Sequence, residues 1–117
     1  MPGPLRLLLD ECAPRKLRRV LPGYEVSTIS EMGWRGKFNG ELMHLAGAAG
    51  FAALITVDKN LRFQQHLPTY PLALIVFEVI PNRWPYLVPY VPDLLALLPA
   101  IEPGRVYILG PRAPAVM

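Results

Sequence analysis

The chain has 117 residues, enough for one domain around one core, expected over 1–110 with a flexible tail at 111–117. It is 52% hydrophobic and 18% charged, which excludes an unfolded polyelectrolyte, and its net charge of +3 permits a nucleic-acid partner without demanding one. A single cysteine, Cys12, excludes an internal disulfide and a cysteine-based zinc cluster, and His44 and His66 lack a metal-binding spacing.

A reducing cytoplasm is the expected location. Arg6, Asp10 and Glu11 interrupt the first apolar run, so no signal peptide is read there. No stretch reaches the ~18 uninterrupted apolar residues of a spanning helix. The longest one, YLVPYVPDLLALLPAI, is broken by Pro89, Pro92, Asp93 and Pro99 and suits a buried helix, with no membrane partner expected.

In chain order, RLLLD (6–10) reads as a buried strand. Pro14 can open a helix, because the first turn needs no N–H from it, and PRKLRRVL carries Leu17, Val20 and Leu21 as its apolar stripe. This segment also holds four of the twelve basic residues. YEVSTI (24–29) alternates as a second strand, and EMGWRGKFNG is a glycine-rich loop. A helix is expected over Glu41–Ala49, with Asn39 as its cap and Gly50 as its stop. FAALITV (51–57) is a strand apolar on both faces, LRFQQHL (61–67) a turn of helix, and LALIVFEVI (72–80) a fourth strand. The region 84–98 is helical in pattern, kinked or delayed by its prolines. RVYIL (105–109) closes the series, with an antiparallel edge position open to it. Apolar strands alternating with helices predict an α/β fold: a mainly parallel sheet of about five strands between two helical layers.

That architecture gives two aspartates a common address. In an open parallel sheet the site lies at the carboxyl ends of the strands. Asp10 ends the first strand and Asp58 follows the third, in LITVDKN. Two carboxylates brought together repel, and a hard divalent ion with oxygen ligands, Mg²⁺ or Mn²⁺, relieves that repulsion. An aspartate after a strand also serves as a helix cap, so the pattern alone leaves both roles open. Glu11 points away from Asp10 if the strand continues and inward only if the chain turns there. Thr56 shares a strand face with Asp58.

The segments LLLDECAPRKLRRVLPGYEVSTISEMGW and NGELMHLAGAAGFAALITVDKNLRFQQHL resemble the small PIN-like proteins of bacterial toxin–antitoxin operons. The most specific part is "DE-x-x-P" paired with "T-x-D-x-N-L-x-x-Q". The resemblance implies a metal-dependent ribonuclease with an acidic pocket for Mg²⁺ or Mn²⁺, an RNA substrate and an antitoxin-like partner. Asp10 matches the first-strand aspartate and Asp58 that of "T-x-D". Asn39 and Asn60 stand where the family pattern carries aspartates. Each keeps an oxygen ligand but loses a negative charge, so metal affinity should fall, and a catalytically weakened module that acts by binding is the alternative. Glu41 is a compensating candidate. Yet residues two apart on a helix point about 200° apart, so Asn39 and Glu41 face one ion only if the helix begins between them.

The site expected from the sequence is therefore Asp10, Asp58, Asn39 and Glu41 for catalysis, with Glu11 beside Asp10 and Asp58 as metal ligands. Glu31 is a further acidic candidate. Arg15, Lys59, Asn60 and Arg62 border the rim as RNA contacts. Trp34, Phe38 and Phe63 can stack on bases but equally fill a core or a dimer interface. Cys12 is expected to be buried, and the apolar excess points to a two-fold homodimer. A phosphotransfer-receiver reading would require a lysine at the end of the last strand, where Leu109 and Gly110 stand.

Overall fold

The computed structural model describes residues 5–37, 39–58 and 70–111; for Asn39 it describes the backbone alone. Phe38, Lys59, Asn60, Arg62, Phe63 and His66, the helical turn expected over 61–67 and the tail beyond 111 lie outside the described residues.

Five strands form one parallel sheet: β1 (Arg6–Leu9), β2 (Glu25–Thr28), β3 (Phe51–Thr56), β4 (Ala73–Phe77) and β5 (Val106–Leu109), in the order β2-β1-β3-β4-β5. The register pairs Leu9 with Ile55, Ile55 with Ile75 and Ile75 with Tyr107, so these residues share one face. On that face Leu7, Ala53, Phe77 and Leu109 join them in a core with Leu17, Leu87, Leu94 and Leu98. The opposite face offers Leu8, Leu54, Leu74 and Val76 to Leu42, Met43 and Ala46 of α1 (Asn39–Ala48). This is why β1, β3 and β4 are apolar without alternation. Each strand is covered on both sides, and full burial of a leucine or isoleucine is worth roughly 1.5–3 kcal/mol. Among the described residues no helix is long and apolar enough to cross a membrane.

Three expectations change. β5 pairs with β4 in parallel, because the helices between them return the chain to the amino end before it re-enters the sheet. The basic segment Arg15–Val20 is a 3-10 helix, with Leu17 fully buried and its four cations exposed. The region after β4 is a relay of short pieces: α2 (Trp84–Leu87), a 3-10 turn (Val88–Tyr90), α3 (Val91–Leu97) and a second 3-10 turn (Leu98–Ala100). Pro85, Pro89, Pro92 and Pro99 each occupy the second position of one piece. A proline is tolerated there because that N–H has no partner within its own helix, whereas in a continuous helix it would remove a bond.

α1 runs back from the carboxyl end of β2 to the amino end of β3, so its first turn lies at the carboxyl edge of the sheet. Gly47 lets the chain pass closely: a Cβ there would stand 1.9 Å from Cγ of Pro71. The neighbouring Tyr70 ring meets His44 edge-on at 5.2 Å.

Candidate functional site

The connection leaving β1 covers one face of the sheet, whereas α1 and the Tyr70–Pro71 segment that leads into β4 lie on the other. The chain steps from β1 to β2 on one side and places β3 on the other, so the strand order reverses at the carboxyl ends of β1 and β3, where such sheets usually offer a ligand crevice. Asp10 and Asp58 stand there.

Strand pairing continues into Asp10, whose N–H donates to the Ile55 carbonyl at 2.9 Å. The chain then turns, with the Ala13 N–H donating to the Asp10 carbonyl at 3.0 Å. The Asp10 carboxylate is half-buried and well supplied with donors. Oδ1 accepts the Glu11 N–H at 2.8 Å, and Oδ2 accepts the Thr56 hydroxyl at 2.7 Å and the Cys12 thiol at 3.3 Å. Thr56 is 0% exposed. Its oxygen also accepts the Asp58 N–H at 3.0 Å, so one hydroxyl ties the first acid to the backbone of the second. A buried hydroxyl without partners is costly, and these bonds explain a threonine at the end of an otherwise apolar strand. Asp58 is exposed, two residues beyond the strand.

Cys12 is exposed, against the buried position expected of it. Its Sγ nevertheless lies 3.4 Å from Thr56 Oγ1, and desolvation there pushes the thiol pKa up.

The other acids serve the loops. Glu11 turns away toward the end of β2: its Oε1 accepts the Ser30 N–H at 2.6 Å and also the Ser30 hydroxyl. The Ser30 side-chain bond chiefly holds the Glu11 pKa below its ordinary value. Glu31 accepts the Thr28 N–H at 2.8 Å and pairs with Arg18, and its N–H donates to Thr28 Oγ1 at 3.1 Å. This reciprocal pair is a capping box over TISE. The turn it opens closes on Gly33, at φ +76°, with Trp34 N–H donating to the Ile29 carbonyl and Gly33 N–H to that of Ser30. Such a closure needs a left-handed residue, hence glycine.

Asn39 is the first residue of α1 rather than its cap. Glu41 is exposed and pairs with Lys37 at 3.2 Å. Arg15 is exposed at the start of the 3-10 helix. Trp34 packs edge-on against Phe51 at 6.0 Å, as part of the second core.

Sequence reasoning passed over Glu78, which follows β4 directly. Val76 of that strand pairs with Thr56, so Glu78 and Asp58 both follow the carboxyl ends of adjacent strands. The signal was present: Glu78 is an acid directly after an apolar strand, as Asp10 is. Among the described residues no group of three or more His, Cys, Asp or Glu side chains is gathered closely enough to hold a metal ion.

Comparisons with family models, with curated proteins and with solved structures give no match. The fold defines a class: a three-layer α/β domain with a parallel sheet, here with two aspartates after the carboxyl ends of its adjacent strands β1 and β3.

Proposed function

We propose that this chain is a PIN-like ribonuclease that uses Mg²⁺ or Mn²⁺ and serves as the toxin of a toxin–antitoxin pair. The observation that carries the reading is the placing of Asp10 and Asp58 at the ends of neighbouring strands, joined through one buried hydroxyl. The donor set fits the metal class. Carboxylate oxygens suit a hard divalent ion, and Mg²⁺ is commonly bound by one or two carboxylates while it keeps several waters. Two carboxylates therefore agree with an ion that also takes ligands from water and substrate phosphate.

Asp10 and Asp58 would hold the ion, which supplies charge stabilisation to a phosphoryl group and positions water. Thr56 fixes the orientation of Asp10 through its hydrogen bond and leaves the other oxygen to the Glu11 N–H. Arg15 lies on the element that leaves β1 and carries charge of the sign that RNA phosphates require. Lys59, Asn60 and Arg62 belong to the same proposal by sequence, as do an antitoxin-like partner and a homodimer.

The test is cleavage of RNA with Mn²⁺ by the wild-type chain, by Asp10→Asn and Asp58→Asn, and by the double variant. Metal-dependent cleavage by wild type alone supports the reading; wild-type activity no higher than that of the double variant overturns it.

The engagement of Glu11 with Ser30 and of Glu41 with Lys37, together with asparagine at 39 and 60, favours a second reading. In it the chain is a catalytically weakened module that binds RNA or protein. Calorimetry with Mn²⁺ separates the two, since micromolar affinity at the crevice counts against the weakened module.

A further inference from the structure

Arg35 lies in the loop SEMGWRG between β2 and α1. Its Nη2 donates to Ser30 Oγ at 2.7 Å. The Ser30 hydroxyl gives its own proton to Glu11, whose carboxylate also takes the Ser30 N–H at 2.6 Å. A hydroxyl has one proton and two lone pairs, so Glu11 turns the proton toward itself and leaves a lone pair for Arg35. Arg35 thus stands on a relay that begins at the residue next to Asp10. Arg15 is exposed at the start of the 3-10 helix, just beyond the turn that follows Asp10. Arg18, by contrast, is tied to Glu31.

A guanidinium carries five N–H donors in a rigid plane and meets phosphate oxygens in pairs. One bond to Ser30 leaves most of that plane for a ligand. We propose that Arg35, positioned through Ser30 and Glu11, binds a backbone phosphate of single-stranded RNA beside the crevice, with Arg15 taking a second phosphate. The proposal rests on the ribonuclease reading and deepens it. It makes Glu11 a positioning residue for Arg35 instead of a ligand of the ion. Two exposed cations, one on the loop after β2 and one on the element that leaves β1, can meet separate phosphates of a strand that passes Asp10 and Asp58.

The experiment is anisotropy of a short labelled single-stranded RNA, titrated in chelator so that no cleavage occurs, at several salt concentrations. Arg35→Ala should weaken binding about tenfold. It should also lower the slope of log affinity against log salt by about 0.7, the value for one phosphate contact on a single strand. Arg15→Ala should lower the slope similarly. Ser30→Ala changes no charge, yet should weaken binding roughly threefold by freeing Arg35. Arg35→Lys should hold the slope and lose affinity, and it replaces Arg35→Ala if that variant does not fold. Lys16→Ala removes an equal charge from the same 3-10 helix as Arg15 and should leave affinity and slope unchanged.

Binding by Arg35→Ala equal to wild type overturns the proposal. So does an equal loss in Lys16→Ala, which would mean that net charge alone matters, and so does wild-type protein that ignores RNA and answers only to an acidic protein partner. The two readings fail separately. A wild-type chain that cleaves RNA while Arg35→Ala binds normally sinks this inference alone. Arg35-dependent binding without any cleavage sinks the ribonuclease alone.

Discussion

Two regions share the carboxyl edge of the sheet and use their acids differently. On the β2 shoulder, Glu11 and Glu31 accept N–H groups of Ser30 and Thr28, and each holds a turn. In the crevice between β1 and β3, Asp10 is bound mainly by side-chain donors and by the N–H of the next residue, and its link to Asp58 runs through Thr56. A carboxylate that satisfies an otherwise orphaned backbone donor is part of the fold. Asp10 differs in that its hydroxyl donor, Thr56, is fully buried in the sheet, and under the proposed ribonuclease reading that donor orients it for an ion. Proximity in sequence hides this distinction, since Asp10 and Glu11 are adjacent and belong to different regions.

The largest effect should come from removing the hydroxyl that organises the crevice. Thr56→Val keeps the shape of a fully buried side chain but takes the partner from Asp10 Oδ2 and from the Asp58 N–H. Loss of such a support for a metal ligand typically costs about 10- to 100-fold in metal affinity or activity. Mn²⁺ calorimetry and RNA cleavage should both show it, while urea unfolding should record only about 1 kcal/mol. An equal loss of stability with unchanged Mn²⁺ affinity would make the crevice as structural as the shoulder.

Gly47→Ala sharpens the comparison from outside both regions. Its Cβ would meet the Pro71 ring at 1.9 Å, so α1 or the strand approach must shift. A loss of about 1–3 kcal/mol is expected on urea unfolding, as for other overpacked sites, with Mn²⁺ affinity retained. Below that ranks Thr28→Val on the shoulder. It deletes the acceptor for the Glu31 N–H and should cost about 1 kcal/mol, the usual worth of an N-terminal cap. Cleavage and metal affinity should stay at wild-type levels.

The strands and their separation were legible because apolar runs end at turn residues: LRLLL stops at Asp10 and FAALITV at Asp58, whereas the fourth strand, read through residue 80, ends at Phe77. The parallel order makes β1 and β3 neighbours, and that adjacency, which no local pattern contains, places Asp10 and Asp58 at neighbouring strand ends. Thr56 was legible as a residue sharing a strand face with Asp58, but its bond to Asp10 spans 46 positions and depends on register. The T-x-x-E pattern of Thr28 and Glu31 was readable and was passed over, because three glycines nearby read as loop. The Ser30 partner of Glu11 was not readable, since it follows from how the exits of β1 and β2 meet. The exposure of Cys12 has the same origin: the chain turns after Asp10, and the turn lifts Cys12 out of the strand's buried alternation.

The smallest effect is a pH dependence contributed by the shoulder acids, and its sign follows from the bonds there. Ser30 lowers the Glu11 pKa, and the Thr28 N–H followed by Arg18 lowers that of Glu31, each from an ordinary value of 4.5. Below that value the unfolded chain takes up protons before the folded one does, so stability falls as pH falls. The contribution is complete above the unfolded pKa and disappears as pH drops through the folded one. Both carboxylates are exposed, so added salt should screen the part contributed by the arginines. Melting temperature measured downward from pH 6 should therefore decline more steeply below about pH 4.5 in the wild-type chain than in Glu11→Gln/Glu31→Gln. Equal slopes would mean that the shoulder acids hold their turns no better charged than neutral. The distinction from the crevice would then rest on the Thr56 hydroxyl alone.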